Sequence, residues 1–426
     1  NNFYEYQLYC KSLYASIQDF NKAAMKACKD RTEDEYIDFI FNKFNIEDRR
    51  KNLIFTIDPE KSRDFDDAIG MKLEDNYVLS IYISNVTLWM EAMGLWESFS
   101  DRIATIYLPD RKRPMLPTIL SENLCSLVEK RQRFAFTMDI TIDYLTFEIL
   151  NVSFKNCLIK VNRNYRYGTK ELHDYEQYRG LKILTNNMNK KYKYIDKIQT
   201  SHDVIAYLMV LMNNYCAKEM LKHKEGIFRT VKLNDTYIPD SSLKPEIKKF
   251  LKIWNSFGGK YCNFKNIEGH DIMELDAYIH ITSPIRRLPD LLTMLILQDK
   301  LSLFTMTECS EKFYRFWMSD EKLEYINTTM RSIRKVQNDC NMLKMCLDNK
   351  EKYIDREYVG FVFDKIQRND GLFQYMVYIS EMKMVKRFTS RYDIENSTYN
   401  ICKLYVFMDE VRFKQKIMVE IINVSK

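Results

Sequence analysis

The chain has 426 residues, of which 46% are hydrophobic and 29% charged, an ordinary globular composition long enough for two or three domains. Lysine and arginine number 65 against 59 acidic residues, and the net charge of +6 is too small to require a polyanionic partner, although clustered positive charge would allow one. No stretch approaches the roughly 18 unbroken apolar residues of a membrane-spanning helix, and the N-terminus lacks a signal-peptide pattern, so we predict neither a membrane partner nor secretion.

The ten cysteines are scattered along the chain without any C-x-x-C pair. This pattern argues against a zinc site and against a disulfide framework. We therefore expect a reducing compartment and no disulfide-linked partner. The predicted location is intracellular and cytoplasmic, with the nucleus or a viral factory left open.

Residues 1–50 are predicted to be a helical lead-in, because apolar residues recur at helical spacing in SLYASIQDFNKAAMKACKD and DEYIDFIFNKF. From residue 51 the pattern favours strands, in NLIFTID, AIGMKLEDNYVLSIYISNV and FAFTMDITIDYLTFEILNVSFKNCLIKV. Helices dominate between about 170 and 350, and strand signals return in YVGFVFDKI, LFQYMVYI, KLYVFM and KIMVEII. Short strands broken by turns such as QRNDG predict a small β-barrel of the oligonucleotide-binding type. The sequence thus predicts an α+β fold, with a large body followed by a small barrel.

The segment FTIDPEKSRDFDDAIG at residues 55–70 contains four aspartates directly behind an apolar run. A short acidic run is most often a solvated turn, but this one follows a predicted buried strand, and Pro59 fixes an extended exit from it. Like charges this close repel each other unless a cation neutralises them. Mg²⁺ binds carboxylates together with phosphate oxygens, and four acids allow two ions, the arrangement that clamps an in-line displacement at phosphorus. The segment therefore predicts a metal site that acts on phosphate.

The same segment resembles the signature of the RNase II/RNase R (RNB) family, and further segments resemble that family in the same order. IYISNV stands where the family has its H-I-A-D-V strand, YLPDRKRPMLP matches its L-P-x-x-x-x-P-M-L-P loop, LSENLCSL follows, and YIHITSPIRRLPDLL matches H-x-T-S-P-I-R-R-x-x-D-L. These matches span residues 52–347. The resemblance implies a helical lead-in (1–50), an RNB catalytic domain with a mixed sheet and surrounding helices (51–352), and an RNA-binding barrel of the oligonucleotide-binding type (353–426).

Members of that family degrade single-stranded RNA hydrolytically from the 3′ end and release nucleoside 5′-monophosphates. The resemblance therefore implies an exoribonuclease with single-stranded RNA as its partner and Mg²⁺, or alternatively Mn²⁺, as its cofactor, in two ions. By motif position, the metal cluster consists of Asp58, Asp64, Asp66 and Asp67. Asp66 corresponds to the most critical catalytic carboxylate of the family.

Two arginines stand in TSPIRRLPDLL, where Thr282 or Ser283 offers a helix N-cap and Pro289 suits a first helical turn. By itself this pattern indicates a helix start whose arginines reach solvent. Beside a metal-phosphate site, however, a guanidinium can grip two phosphate oxygens and stabilise transition-state charge. By motif position Arg286 resembles the family's catalytic arginine, and Arg287 is expected to be structural or to clamp the RNA backbone.

Tyr107 in IYLPD and Tyr167 in NRNYRYG would in most proteins be half-buried aromatics with a wet hydroxyl. Both align with family positions where tyrosine packs on or orients the terminal nucleotides. The resemblance thus adds Tyr167 to the catalytic residues and both tyrosines to the RNA-binding residues. Basic positions in RKRP, FRTVK and SIRK are candidates to line an RNA path, with ordinary solvated faces as the alternative.

Several positions depart from the family pattern. The strand histidine and aspartate of the family are replaced by Tyr82 and Asn85, and an acidic pair in a central helix is replaced by Ala206 and Tyr207. The histidine of an R-x-H motif is replaced by Val231, and a histidine-arginine pair by Met294 and Leu295. These changes support an alternative function, a catalytically weak or inactive RNA-binding scaffold. A metal-dependent DNA nuclease is a third alternative.

Overall fold

The computed structural model describes residues 2–234, 240–256, 258–354, 356–411 and 414–422, and it has the predicted α+β fold. The helices are α1 (Asn2–Tyr9), α2 (Gln18–Asp30), α3 (Glu33–Lys43), α4 (Val86–Ala92), α5 (Lys170–Asp174), α6 (Glu176–Lys191), α7 (Ser201–His223), α8 (Pro245–Trp254), α9 (Leu288–Lys300), α10 (Glu308–Trp317), α11 (Asp320–Asp348) and α12 (Lys350–Tyr353). The strands are β1 (Ile46–Asp48), β2 (Phe55–Asp58), β3 (Asp67–Leu73), β4 (Tyr77–Ser84), β5 (Ile106–Tyr107), β6 (Lys112–Arg113), β7 (Gln132–Ile142), β8 (Ile149–Lys160), β9 (Arg163–Arg166), β10 (Ile227–Thr230), β11 (Lys260–Asn263), β12 (Glu357–Gln367), β13 (Phe373–Ile379), β14 (Met384–Ser390), β15 (Thr398–Asp409) and β16 (Lys414–Ile421).

The segment predicted as a lead-in contains α1, α2 and α3. Helix α3 begins with a capping box, in which the N–H of Thr32 donates to Glu35 Oε2 at 2.7 Å and the N–H of Glu35 donates to Thr32 Oγ1 at 3.4 Å. Helices α2 and α3 each bury an apolar side against the main core. The following strand, β1, pairs in parallel with β8 at the edge of the main sheet. The domain boundary near residue 50 stays a prediction.

The main sheet has seven strands in the order β1-β8-β7-β4-β3-β2-β9. It is mixed, because the two outer pairs, β1 with β8 and β2 with β9, are parallel and the inner pairs are antiparallel. All four residues of β2 are buried. Strands β2 and β3 are adjacent and antiparallel, so the end of one and the start of the other lie at the same edge of the sheet.

Helix α9 is buried from Leu288 to Gln298 and forms the centre of the helical layer. It begins after Arg287, so the N-cap predicted at Thr282 or Ser283 is wrong. The reason is a tight turn before the helix, in which the backbone N–H groups of Arg286 and Arg287 both donate to the carbonyl oxygen of Ser283.

No described helix is both long and apolar enough to cross a membrane. None of the ten cysteines forms a disulfide.

The predicted small barrel is confirmed. Its five strands follow the order β14-β13-β12-β15-β16, all antiparallel, and form a nearly closed barrel. Val362, Tyr375 and Val377 lie in its core, to which the end of α11 adds Leu343. Helix α8 packs on the outside of the barrel, where the rings of Phe250 and Tyr378 stack at 3.8 Å.

Candidate active site

The four aspartates lie around the turn from β2 to β3. Asp58 is the last residue of β2 and Asp67 is the first residue of β3, with Asp64 and Asp66 in the connecting loop. Phe65 holds this loop against the protein, because its side chain is buried in a small apolar cluster beneath the sheet edge. The alternation of an inward phenylalanine with aspartates on either side keeps the carboxylates together at one edge of the sheet.

Asp66 is buried and contacts the second predicted motif. Its Oδ1 accepts the backbone N–H of Ile285 at 3.0 Å, and its Oδ2 accepts Nε–H of Arg286 at 3.0 Å. Arg286 also donates from Nη2 to Ser283 Oγ at 2.9 Å. These contacts orient the guanidinium through one side of its fork. No described residue accepts a hydrogen bond from its Nη1, so that side can bind an anion.

Asp64 contacts two side chains from the β5–β6 hairpin. The hydroxyl of Tyr107 donates to Asp64 Oδ2 at 3.0 Å, and Nζ of Lys112 donates to Asp64 Oδ1 at 3.0 Å. Lys112 Nζ is also 2.8 Å from Oε1 of Glu122. Asp64 is therefore already neutralised by a cation of the chain itself.

Burial makes the charged form of the other three carboxylates unfavourable. Burial raises the pKa of Asp66 to about 7, although the Arg286 guanidinium opposes this rise. Burial also raises the pKa of Asp58 and of Asp67, and the negative charge of neighbouring aspartates adds to the effect. Asp58 Oδ2 is buried and has no hydrogen-bond partner in the described part of the chain. An external cation would relieve this unfavourable burial of charge.

The donor set suits a hard divalent cation, which prefers carboxylate oxygens. Within the described residues, however, no group of three acidic, histidine or cysteine side chains is arranged to hold a metal ion. The reason is visible in the contacts of Asp64 and Asp66, whose oxygens bind internal donors instead. Asp58 and Asp67 fit an ion best, because Asp58 Oδ2 has no partner among the described residues and no described side chain is found to donate to Asp67. The cluster of four metal ligands stays a prediction.

Tyr167 lies next to the aspartates. Its backbone N–H donates to the carbonyl oxygen of Asp58 at 3.1 Å, because β9 runs in parallel beside β2. Its ring stacks on that of His202, with centroids 4.2 Å apart and planes within 9° of parallel. Burial, reinforced by the charges of Asp67 and Asp58, raises the pKa of the Tyr167 hydroxyl, which therefore stays protonated. One ring face is covered by His202, so a nucleotide base can stack only on the other.

Arg287 pairs with Asp290 and with none of the four aspartates among the described residues. Its Nη2 donates to Asp290 Oδ1 at 2.8 Å, one turn into α9, and its Nε is buried without a partner among the described residues. The ion pair with Asp290 fits the expected structural role at the start of the helix. Its role in RNA binding stays a prediction.

Two of the three basic segments come together near Arg287. Arg229 of FRTVK, in β10, places its guanidinium 5.0 Å from the ring centre of Tyr261. Burial lowers the pKa of Arg229, and so do the positive charges of Arg334, in SIRK, and of Arg287. Among the described residues Arg229 has no carboxylate partner, and Gly259 leaves room for its guanidinium where a Cβ would collide. This cluster of positive charge suits a phosphate group.

The third basic segment, RKRP, does not form an open basic face. Arg113 is buried and ion-paired, with Nη1 at 2.6 Å from Asp110 and Nη2 at 2.6 Å from Glu5. Arg111 is exposed and pairs with Glu5 at 3.0 Å. Lys112 points the other way, towards Asp64. The solvated face predicted as the alternative is therefore wrong for Arg113, which the folded hairpin buries. A role of RKRP in lining an RNA path stays a prediction.

The positions that depart from the family pattern have neutral side chains, and the polar ones among them make hydrogen bonds or ring contacts. Asn85 replaces the strand aspartate and donates from Nδ2 to Asn156 Oδ1 and to Gln298 Oε1, both at 2.9 Å. Tyr82 is buried, and its ring lies 5.9 Å from the guanidinium of Arg49. Tyr207 is buried and donates its hydroxyl to a backbone carbonyl oxygen. These contacts are compatible with a stable fold, so the substitutions do not disrupt the site by leaving buried charges unpaired.

Sequence reasoning missed two parts of this site. It gave no role to His202 or Glu122, and it did not place Lys112 against Asp64. A signal was present for Lys112: it lies across a short turn from Tyr107, and residues so spaced become cross-strand partners in a hairpin. No local pattern marks His202 or Glu122, because their contacts are with distant segments.

The family model described as "RNB domain" matches residues 46–175. Ribonuclease R of Aquifex aeolicus is 26% identical over 327 residues, which cover 60% of this chain and 46% of the relative. Ribonuclease R of Chlamydia pneumoniae is 25% identical over 325 residues, which cover 60% of this chain and 48% of the relative. The chain thus spans about half the length of these curated relatives.

Solved structures support the same fold. Mycoplasma genitalium RNase R in complex with ribose-methylated single-stranded RNA has a TM-score of 0.67 and 17% identity, over 89% of this chain and 72% of the other. Yeast Ssd1, described as a pseudonuclease, has a TM-score of 0.62 and 14% identity, over 80% of this chain and 50% of the other. The fold is therefore shared by proteins with and without nuclease activity in their descriptions.

Proposed function

Because this chain is a divergent member of the RNB family, we propose that it is a metal-dependent exoribonuclease that hydrolyses single-stranded RNA from the 3′ end and releases nucleoside 5′-monophosphates. The observation that carries the proposal is the contact of Asp66 with Arg286, which unites the acidic motif with a phosphate-binding side chain. Two curated relatives are named ribonuclease R, and one similar structure holds single-stranded RNA, which supports this substrate class.

Asp58 and Asp67 are the residues that would hold a divalent ion, Mg²⁺ or alternatively Mn²⁺, because both oxygens of Asp66 already accept hydrogen bonds. When bound, such an ion lowers the pKa of a water that attacks phosphorus and offsets charge on the leaving 3′ oxygen. The two-ion arrangement predicted from the sequence also needs Asp64, whose carboxylate already contacts Lys112. The number of bound ions therefore depends on whether Lys112 moves away from Asp64.

Arg286 would act on the phosphate itself. Its guanidinium is fixed through Nε and Nη2 by Asp66 and Ser283, which leaves Nη1 for a non-bridging phosphate oxygen. A donor held in place before the reaction stabilises developing charge without a cost for reorganisation. Asp66 thus has a positioning role towards Arg286.

The terminal nucleotides would bind beside this centre. Tyr167 offers one ring face for base stacking, and Tyr107 lies at the Asp64 side with about a third of its surface exposed. Stacking accepts every base, which suits a nonspecific enzyme. Arg229, together with Arg287, supplies positive charge for the RNA backbone. A narrow channel would select single strands, and contacts to 2′-hydroxyls would favour RNA over DNA.

We place the enzyme in a reducing intracellular compartment, most simply the cytoplasm. The support is that none of the ten cysteines forms a disulfide and that seven of them are buried, where oxidation would disturb packing. Neither a membrane partner nor a disulfide-linked partner is part of the proposal.

One observation favours a second candidate function, an RNA-binding scaffold. Yeast Ssd1 has a similar fold and is described as a pseudonuclease, and this chain has lost several charged residues of the family pattern. The rival is a scaffold that binds RNA without cutting it. The two functions differ in one measurable property, the Mg²⁺-dependent shortening of bound RNA.

The test is a time course with a 5′-labelled single-stranded oligoribonucleotide and Mg²⁺, comparing the wild type with Asp66→Asn. Asp75→Asn is the matched control, because Asp75 is an exposed aspartate in the β3–β4 turn. The exoribonuclease predicts a ladder that shortens stepwise in the wild type and the control but not in Asp66→Asn. Binding without shortening in every variant would establish the scaffold. Equal shortening of the matching deoxyoligonucleotide would establish a DNA nuclease.

A further inference from the structure

Lys112 is held against the aspartates from two sides. Its Nζ lies 3.0 Å from Oδ1 of Asp64 and 2.8 Å from Oε1 of Glu122. Glu122 belongs to the π-helical turn Leu120–Leu124, so the anchor comes from a different element than the lysine. Lys112 and Tyr107 are cross-strand partners in the β5–β6 hairpin, and both donate to Asp64. The ammonium group of Lys112 is therefore held in the site by two carboxylates.

The four aspartates differ in which of their oxygens already have hydrogen-bond partners. Both oxygens of Asp64 accept hydrogen bonds from the hairpin, and both oxygens of Asp66 accept hydrogen bonds from the Arg286 turn. Asp58 has a hydrogen bond from the side chain of Thr56, but its Oδ2 is buried without a partner among the described residues, and no described side chain is found to donate to Asp67. Among the described residues, Asp58 and Asp67 thus have no ion-pair partner, whereas Asp64 is paired with Lys112.

An ammonium group and a divalent ion cannot share a carboxylate at this distance without strong repulsion. To admit an ion at Asp64, Lys112 would have to leave both of its carboxylate partners, and Glu122 would be left half-buried beside the site. Each of these changes opposes binding of an ion at Asp64. None of these changes opposes binding of an ion at Asp58 and Asp67.

We infer that Lys112 takes the position of one cation, so that the cluster binds one divalent ion, at Asp58 and Asp67, and not two. The inference rests on the proposed metal-dependent function and specifies its cofactor content. Lys112 is then a positioning residue, which keeps Asp64 neutral and in place. Removal of its charge should open the second position.

The test counts bound Mn²⁺ by electron paramagnetic resonance, which detects the free ion, during titration of the whole chain in the absence of RNA. The wild type is expected to bind one ion tightly, and Lys112→Met is expected to bind two. Asp64→Asn in the Lys112→Met background should return the number to one. Lys155→Met is the matched control and should bind one ion, because Lys155 in β8 pairs with Glu47 at 2.7 Å, and strands β7 and β4 lie between β8 and β3.

Two tight ions in the wild type, or one in folded Lys112→Met, would overturn the inference and leave the proposed function standing. The absence of any bound ion in the folded wild type would overturn both. Lys112→Gln provides a second variant with the same expected count of two, should Lys112→Met not fold. Circular dichroism establishes the folded state of each variant before titration.

Discussion

Arg286 Nε and Asp66 Oδ2 lie 3.0 Å apart, although 220 positions separate the two residues in the sequence. The contact joins the turn before α9 to the loop between β2 and β3. It fixes the guanidinium and the carboxylate relative to each other before any substrate binds. The geometry of phosphate binding and that of the proposed ion site are therefore coupled.

Arg286→Lys is expected to lower kcat about 10²- to 10³-fold, the usual cost of losing one preorganised donor at a developing charge. Lysine keeps the positive charge but cannot bind Asp66 and a phosphate oxygen with one planar fork. The measurement is single-turnover hydrolysis of a labelled oligoribonucleotide, with KM recorded separately. Arg163→Lys, at an exposed ion pair with Glu171, serves as the control. A loss of less than about threefold would contradict the role given to Arg286.

Asp58→Asn is expected to stabilise the metal-free protein at pH 8. Burial raises the pKa of Asp58 above its ordinary value, so the stability it contributes is present when it is protonated and is lost as the pH rises through the folded-state pKa. Removing the charge should raise the free energy of unfolding by about 1–3 kcal/mol at pH 8 and by less at pH 5.

Thermal unfolding in chelator and in Mg²⁺ checks this prediction. Mg²⁺ should raise the Tm of the wild type more than that of Asp58→Asn, because ligand binding stabilises only a protein that can bind it. Asp75→Asn, with an exposed carboxylate, should behave as the wild type does. A lower Tm for Asp58→Asn than for the wild type in chelator at pH 8 would show that the carboxylate is favourable as it stands.

Tyr167→Ala is expected to weaken RNA binding by about 1–3 kcal/mol, the usual contribution of one stacked base. Tyr167→Phe should bind nearly as well as the wild type, since it keeps the ring. His202→Ala should cost about 0.5–1.5 kcal/mol, because the Tyr167 ring loses its stacking partner and its fixed orientation.

Affinity is measured by fluorescence anisotropy in the Asp66→Asn background, where RNA is expected to stay intact. Tyr144→Ala is the control, because Tyr144 is half exposed in the turn between β7 and β8. Equal affinities for Tyr167→Ala and Tyr144→Ala would exclude base stacking on Tyr167.

Arg229→Gln is expected to weaken binding equally for all RNA sequences and to reduce the slope of log K against log salt by about 0.7, the contribution of one phosphate contact to a single strand. The reason is that Arg229 has no carboxylate partner among the described residues and lies with other arginines beside Tyr261. Lys312→Gln, at an exposed pair with Glu308, is the control. An unchanged slope would show that the Arg229 cluster does not contact the RNA backbone.

Much of the fold followed from local pattern. The strand run ahead of the aspartates, the long helices between about 170 and 350 and the terminal barrel were predicted correctly because their apolar periodicity reflects which face each element buries. The N-cap at Thr282 or Ser283 was not, because the turn at 283–287 satisfies backbone groups within itself and with Asp290. Capping residues are preferred at helix starts, but they serve equally well in turns.

The candidate site shows the same division. The sequence alone indicated a site at Asp58, Asp64, Asp66 and Asp67, since carboxylates this close that follow a buried strand repel each other unless cations neutralise them. Which cation each of them meets was decided only by the tertiary structure: Lys112 from a hairpin for Asp64, and Arg286 from the turn before α9 for Asp66. The physical reason is that electrostatic compensation depends on distances of a few ångströms in space, and packing of the sheet against the helices sets those distances, whereas separation along the chain does not.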